Sequence, residues 1–164
     1  MRLLKLVLIS AVVLFGVMLL ISLLLPSHVR ISRATDINAP AEQLRPLLSD
    51  IKQWEQWNEY IRAYHNRITE PEILKADEIG IFITANKKNL VTADWQPPSG
   101  NKFSSGYVII DNANKNTCTV QWYFDFHIEW YPWQKFQSIV YDQQLGPAME
   151  KSLANLKHIA ENLK

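Results

Sequence analysis

Hydrophobic residues form one unbroken run near the N-terminus and short periodic patterns after it. The run Leu6–Leu25 contains twenty consecutive residues without a charge. A helix of that length, at about 1.5 Å per residue, covers the roughly 30 Å hydrocarbon core of a bilayer. The pattern therefore predicts a transmembrane anchor and linker over residues 1–28, followed by one folded domain over residues 29–164.

A cleaved signal peptide is the alternative interpretation of this run, since Arg2 and Lys5 supply a positive flank. Signal peptides have apolar regions of about 7–15 residues and a small-x-small cleavage site, which Leu23–Ser27 lacks. Length therefore favours an uncleaved, single-pass anchor in the inner or plasma membrane. The basic flank predicts a domain outside the cytoplasm, although Arg30 and Arg33 weaken this charge bias.

The start of the domain reads as one strand and two short helices. Val29–Ile37 alternates between apolar and polar residues, as a strand does, and Asn38–Glu42 has the proline and acid of a helix start. We expect Pro46 to kink or interrupt the first helix. A second short helix would place Trp54 and Trp57 on one face. The apolar residues predicted to point inward are Leu44, Leu47, Leu48 and Ile51.

The rest of the chain alternates and then becomes helical. The strands predicted from alternation are Ile79–Thr84, Leu90–Trp95, Lys102–Ile110 and Asn116–Trp130. Short turns between them indicate an antiparallel sheet. Apolar residues three or four apart then predict a long amphipathic helix, with a kink or a start at Gly146–Pro147. Its apolar stripe is Leu145, Met149, Leu153, Leu156, Ala160 and Leu163.

Composition excludes some classes of protein. Seventeen basic and sixteen acidic residues give a formal net charge of +1, without the basic footprint of a nucleic-acid-binding protein. The single cysteine, Cys118, excludes an internal disulfide, and its apolar surroundings predict a buried structural thiol. Six tryptophans are many for so short a chain. Such side chains fill a core or line a pocket.

Two ends of the domain carry a family resemblance. Asp36–Glu42 and Trp54–Asn58 resemble the strand-to-helix junction and the W-x-x-W-N helix end of START-like proteins, the polyketide cyclase and lipid-transfer (SRPBCC) superfamily. Leu145–Glu150 with Leu153–Lys157 is similar to the C-terminal helix of its membrane-anchored bacterial branch. The middle departs from the family pattern, since a glycine-rich strand pair is represented only by Gly80. The resemblance implies an α+β helix-grip fold, with a curved antiparallel sheet around a long C-terminal helix and an apolar cavity between them.

One face of the last predicted strand is apolar and largely aromatic from Val120 to Trp130. Large aromatic side chains bury roughly 150–250 Å² each, so this face supplies much of a core. The same residues would equally serve as the wall of a ligand cavity. The residues expected to line such a cavity are Trp122, Phe124, Phe126, Tyr107, Trp95, Met149, Leu153 and Leu156.

The opposite face of that strand carries Asp125, His127 and Glu129. Such a trio could bind a metal or poise His127 or Asp125 as a general base. Neighbours on one strand face are about 6.5–7 Å apart and converge poorly on one ion, so a polar outer face is favoured. Without a nucleophile elbow, a Cys/His metal spacing or a phosphate-binding loop, the sequence predicts no metal and no cofactor.

The segment Glu129–Phe136 is aromatic and joins the sheet to the final helix. It either packs on the domain as a loop or borders a pocket or a lipid headgroup region. Three functions therefore stay open. The leading hypothesis is a membrane-tethered binding module for an apolar small molecule or lipid. The others are a cyclase- or isomerase-type enzyme using His127 or Asp125, and an envelope interaction domain with a filled core and an exposed aromatic patch.

Overall fold

The computed structural model describes residues 2–64, 70–76, 79–98, 100–112 and 116–163. A long N-terminal helix precedes an α+β domain. The elements in chain order are α1 (Arg2–Leu24), β1 (His28–Ile37), α2 (Ala41–Ser49), α3 (Ile51–Trp57), a 3-10 turn (Arg62–Tyr64), β2 (Ile73–Ala76), β3 (Ile79–Lys87), β4 (Leu90–Gln96), β5 (Phe103–Asn112), β6 (Thr117–His127), α4 (Pro132–Ser138) and α5 (Tyr141–Asn162).

The six described strands form one curved antiparallel sheet in the order β1-β6-β5-β4-β3-β2. Consecutive strands from β2 to β6 are neighbours, and β1 closes the order by pairing with β6, from His28 opposite His127 to Ile37 opposite Cys118. The long helix α5 packs along β1 and against α3. The predicted helix-grip fold is therefore confirmed.

Helix α1 is exposed along most of its length. Leu3–Leu24 has a mean hydropathy of 3.0, and among the described residues it is the one helix long and apolar enough to cross a bilayer. The predicted N-terminal apolar helix is thus present.

The two short helices bury their apolar faces as predicted, Leu44, Leu48 and Ile51 being fully inaccessible. Helix α2 continues through Pro46 and ends at Ser49, so the break between the helices comes at Asp50 rather than at the proline. Asp50 accepts a hydrogen bond from the backbone N–H of Lys52 and caps α3. This cap explains why the chain restarts as a second helix there.

Several predicted boundaries are wrong. Strand β6 ends at His127, three residues before Trp130, because its partner β1 begins at His28; the backbone N–H of Ile128 makes one further bond to the Ser27 carbonyl. Part of the segment predicted as a loop forms the short helix α4. Helix α5 starts at Tyr141 and encloses Gly146 and Pro147. Strand β2 was not predicted, since four residues give too short an alternation to recognise.

Cys118 is fully buried, and its thiol lies 3.2 Å from the carbonyl oxygen of Ala39. Burial raises the pKa of this thiol to about 11. The predicted burial of the thiol is confirmed, and a thiol that stays protonated is a poor nucleophile.

Candidate ligand-binding site

The middle of the domain is filled by aromatic rings from the sheet and from α3. The ring centroid of Tyr107 lies 5.2 Å from that of Trp54 and 5.6 Å from that of Trp57, in edge-to-face contacts. Trp57 meets Trp122 edge-on at 6.1 Å. Such pairs add about 0.5–1.5 kcal/mol each to the effect of burying the rings. This aromatic cluster leaves the centre of the domain packed with side chains.

Most of the residues predicted to line a cavity belong to this packed interior. Those buried in the hydrophobic core are Trp95, Tyr107, Trp122, Phe124, Met149, Leu153 and Leu156. The eighth, Phe126, is only partly buried and packs against the core from its edge. Phe126 therefore marks the place where the packed interior meets the surface.

A cavity of about 320 Å³ opens beside Phe126, and we call it the mouth cavity. It lies between the β4–β5 connection, the end of β6, helix α4 and the first turns of α5. Its apolar floor is Phe103, Phe126, Tyr141 and Leu145, and its polar rim is Asn101, Lys102, His127, Gln134, Gln137 and Gln144. An apolar floor with a few polar groups is typical of small-molecule sites, whose volumes are about 300–1,000 Å³.

The floor of the mouth cavity rests directly on the aromatic cluster. Phe103 stacks on Trp95 with ring centroids 5.7 Å apart and meets Phe124 at 5.4 Å. Phe126 lies 4.8 Å from Phe103 and 4.9 Å from Tyr141. Of the residues predicted as cavity walls, Phe126 thus lines the cavity that the structure contains, and Phe124 and Trp95 lie one ring behind its floor.

Hydroxyl groups connect the interior to the helices. The buried Asn58 side chain donates to the Tyr107 hydroxyl over 3.3 Å, and the Tyr60 hydroxyl donates to the Leu145 carbonyl over 2.9 Å. Burial raises the pKa of Tyr60 to about 12. Burial also raises the pKa of Tyr107 well above its usual range, against the opposing effect of the Asn58 hydrogen bond. Both tyrosines therefore remain neutral at physiological pH.

The indole N–H of Trp122 has a different environment. Trp122 is fully buried, and its Nε1 has no hydrogen-bond partner within the described part of the chain. The other buried indoles are satisfied: Trp54 and Trp57 donate to the Leu48 and Leu47 carbonyls, and Trp95 donates to Ser105. Buried polar groups without partners are rare in folded proteins, so this N–H is a candidate ligand contact.

Asp125 and His127, the two alternative candidates for a general base, have different neighbours on β6. Asp125 accepts two hydrogen bonds of 2.6 Å from the Arg30 guanidinium, which also lies 4.2 Å above the Tyr123 ring. His127 is exposed, and its ring packs 4.7 Å from that of His28 at the rim of the mouth cavity. Within the described residues, no group of three His, Cys, Asp or Glu side chains is arranged to hold a metal ion.

Sequence reasoning assigned few of the other mouth-cavity residues to a pocket. Tyr141 lies four residues before Leu145, so extending the apolar stripe of α5 backwards by one turn would have found it. Phe103 continues the alternation of β5, but nothing local shows that this strand end lies beside α4 and α5. Gln134 lies in the Glu129–Phe136 segment, for which a pocket border was one of the alternatives, whereas Gln137 lies beyond it and carried no recognisable signal.

Solved structures with the same fold come from several sources. A START superfamily protein from Mycobacterium smegmatis is 17% identical, with a TM-score of 0.54 over 82% of this chain and 99% of that protein. Norcoclaurine synthase from Thalictrum flavum is 10% identical, with a TM-score of 0.53 over 84% and 96%. DynU16, from the dynemicin biosynthetic locus, is 12% identical with a TM-score of 0.57 over 81% of this chain. This chain spans 47% of DynU16, and at such identities the likeness shows the fold alone.

The sequence comparison is more specific than the structural one. No curated protein matches the chain. The profile of one family, described as polyketide cyclase / dehydrase and lipid transport, matches residues 28–161, from the first residue of β1 to the last turn of α5. The chain therefore belongs to the polyketide cyclase / dehydrase and lipid transport family.

Proposed function

We propose that this protein is a membrane-tethered binding module that holds an apolar small molecule or a lipid in the mouth cavity. The observation that carries the proposal is an apolar floor with an amide-rich rim at the one end of the sheet where α4 and α5 meet it. Burying apolar ligand surface in the cavity stabilises the complex by about 25 cal/mol per Å² removed from water. The rim amides, which both donate and accept hydrogen bonds, would orient a polar end of the ligand.

In this proposal α1 tethers the domain to the inner or plasma membrane. The helix is long and apolar enough to span it. Basic residues preceding a first span favour a cytoplasmic N-terminus, so Arg2 and Lys5 support a domain outside the cytoplasm. The tether keeps the mouth cavity close to a reservoir of apolar molecules.

Longer ligands would reach the residues predicted as cavity walls. The rings of Phe126, Phe124 and Trp122 follow one another along β6, at 6.1 Å and then 5.1 Å between centroids. Rotation of Phe126 and Phe103 would extend the mouth cavity along this row. A ligand oxygen at its end would accept the unpaired N–H of Trp122, a group whose burial without a partner costs about 1–3 kcal/mol.

Native mass spectrometry of the full chain released from nanodiscs tests the proposal. The full chain is used because Lys135 hydrogen-bonds to Leu25 and Ser27, which an anchor-free fragment would disturb. We expect an added mass that survives mild activation and disappears on unfolding. A protein that stays free of ligand after incubation with membrane lipids and quinones would exclude the carrier function.

A matched pair of variants locates the ligand. Leu145→Trp fills the mouth cavity, whereas Leu163→Trp makes the same change at the exposed far end of the α5 region. We expect the first variant to lose the added mass and the second to retain it. Retention by both variants would place the ligand elsewhere.

An enzyme of the cyclase or isomerase type is the second candidate, favoured by the position of His127 on the cavity rim. Its imidazole would act without Asp125, which is engaged by Arg30. Incubation of the wild type and His127→Gln with the extracted ligand separates the two functions. Conversion that requires His127 supports an enzyme, and recovery of unchanged ligand from both proteins supports a binding module.

A further inference from the structure

The segment around α4 exposes an unusual amount of apolar surface. We call Trp130, Tyr131, Trp133, Ile139 and Val140 the aromatic shoulder. Trp130, Trp133 and Ile139 are 63%, 58% and 59% exposed. The Tyr131 ring lies 4.7 Å from Trp130 and stacks on Trp133 at 4.9 Å, so the three rings form one continuous surface. A contiguous apolar surface of this kind marks a contact site rather than scattered exposure.

The aromatic shoulder is joined to the C-terminal end of α1. The Lys135 ammonium of α4 donates to the Leu25 carbonyl over 3.0 Å and to the Ser27 hydroxyl over 2.8 Å. The buried Ser22 hydroxyl lies 3.5 Å from the carbonyl oxygen of Trp130. These contacts place the aromatic shoulder where α1 leaves its apolar stretch.

The charge of the segment also suits a bilayer surface. Glu129–Val140 contains two charged residues, Glu129 and Lys135. Lys135 is buried against the linker, so the outward surface consists of aromatic rings, aliphatic side chains and amides, with the exposed carboxylate of Glu129 at its N-terminal end. Tryptophan and tyrosine are enriched where a protein meets lipid headgroups, because one end of each ring system is apolar and the other hydrogen-bonds.

We propose that the aromatic shoulder lies in the headgroup region of the same bilayer that α1 spans. This inference rests on the proposed membrane tether. The amides of Gln134 and Gln137, on the same short helix, border the mouth cavity. Docking of α4 therefore brings the rim of the mouth cavity to the bilayer surface, and the membrane itself is the source of the apolar ligand.

The distribution of tryptophans makes the proposal testable without labels. Trp130 and Trp133 are exposed, the other four tryptophans are at most 2% exposed, and α1 contains none. The full chain is reconstituted in phosphatidylcholine vesicles with or without bromine atoms near the headgroup end of the acyl chains. We expect the brominated lipid to quench the emission of Trp130 and Trp133, two of the six tryptophans.

Substitution assigns the signal. Trp130→Phe and Trp133→Phe should each lose part of the quenching, and the double variant should lose nearly all of it, because phenylalanine keeps an apolar ring without the indole emission. In the wild type, the vesicles should also shield both tryptophans from acrylamide dissolved in water. Strong acrylamide quenching in vesicles, with no effect of bromine, would overturn the inference and indicate a surface for a protein partner.

Two accompanying measurements separate this inference from the proposed function. Extraction of the protein from vesicles by alkaline carbonate would refute the tether and the docking together. Retention in the vesicles without bromine quenching would refute the docking alone. Bromine quenching in a protein that shows no bound ligand in native mass spectrometry would support the docking and reject the binding function.

Discussion

The middle of the domain and the end that carries the mouth cavity, which we call the open end, are stabilised to different degrees by buried rings and by surface contacts. In the middle, Trp54, Trp57, Tyr107 and Trp122 are fully buried and contact one another through their rings. At the open end, the start of α5 is attached by the partly buried side chains of Tyr141 and Leu145 and by ion pairs at the surface. Ligand-binding regions are usually among the less stable parts of a protein. The packed middle supplies most of the stability of the domain, and the cavity lies at the less tightly packed open end.

The attachments of the open end can be named individually. Arg33 on β1 pairs with Asp142 and Glu150 of α5 at 2.9 Å and 2.7 Å. A side chain at Gly146 would overlap the guanidinium, so this glycine leaves room for the pair. Exposed ion pairs contribute only about 0–1 kcal/mol each, far less than a buried ring. The two regions should therefore respond differently to substitution, salt and pH.

The largest expected effect comes from removing a ring in the middle. Trp57→Ala deletes a fully buried indole and leaves the Leu47 carbonyl without its 3.1 Å donor. We expect a loss of about 3–5 kcal/mol in the free energy of unfolding, as for other buried aromatic truncations. Urea unfolding of the full chain in detergent, followed by circular dichroism, measures it.

Trp133→Ala is the matched control, since it removes an exposed indole. Exposed substitutions usually change stability by less than about 0.5 kcal/mol. Equal losses in the two variants would contradict the division between a packed middle and an open end.

A buried amide should have the next largest effect. Asn58→Ala leaves the Tyr107 hydroxyl and the Tyr60 backbone N–H without their partners. Unsatisfied buried groups cost about 1–3 kcal/mol, so the unfolding midpoint in urea should fall clearly. Asn162→Ala, which removes an exposed amide bonded to the His158 carbonyl, should leave the midpoint nearly unchanged. A midpoint unaffected by Asn58→Ala would show that water replaces the lost contacts.

The same division explains what the sequence could predict. The packed middle follows from periodicity: alternation brings Trp122 and Phe124 to one face of a strand, and the three- or four-residue spacing does the same for Met149 and Leu153. These patterns are local, because the spacing of the buried residues repeats within a single strand or helix. All four residues are buried together in the hydrophobic core.

The arrangement of the open end cannot be predicted from the sequence pattern of any single strand or helix. The mouth cavity depends on where β6 stops, and that is set by the start of its partner β1, almost one hundred residues earlier. Helix α4 is seven residues long and too rich in aromatics and amides to show a helical period. Phe126 was predicted because it lies on the strand, whereas Gln134 was included only through the Glu129–Phe136 segment, as a packed loop or a pocket border, and Gln137 lies outside every pattern.

Cutting the attachment of α4 to the linker should have a smaller and local effect. Lys135→Met keeps the length of the buried stem but removes the hydrogen bonds to Leu25 and Ser27. Hydrogen bonds to charged groups contribute about 1.5–3 kcal/mol, so amides of α4 should exchange with solvent at least tenfold faster. Exchange in β5 and β6 should not change.

Lys151→Met is the control, since Lys151 makes an exposed ion pair with Glu59 on the other side of α5. It should leave exchange in α4 as in the wild type. Uniform acceleration across the domain in Lys135→Met would show that α4 is part of the packed middle.

The smallest expected effect is a pH dependence at the start of α5. The hydrogen bond from Arg33 lowers the pKa of the Asp142 carboxyl in the folded protein. The ionised Asp142 therefore stabilises the folded protein fully above the pKa of about 3.9 that an aspartate has in the unfolded chain. This stabilisation is lost as the pH falls through the lower pKa of the folded protein. Between pH 7 and pH 3, the unfolding midpoint of the wild type should fall more steeply than that of Arg33→Gln.

Gly146→Ala gives an independent check of the same pair. Its methyl group would overlap the guanidinium and move Arg33 away from Asp142, so its pH profile should follow that of Arg33→Gln. Alanine favours a helix over glycine by about 1 kcal/mol, so stability at neutral pH should not suffer. The hydrogen bond with Lys151 lowers the pKa of Glu59. Glu59 therefore adds the same pH dependence of the unfolding midpoint to the wild type, Arg33→Gln and Gly146→Ala. The difference between the profiles therefore isolates the ion pairs of Arg33 with Asp142 and Glu150, and parallel profiles would mean that Arg33 does not hold the open end.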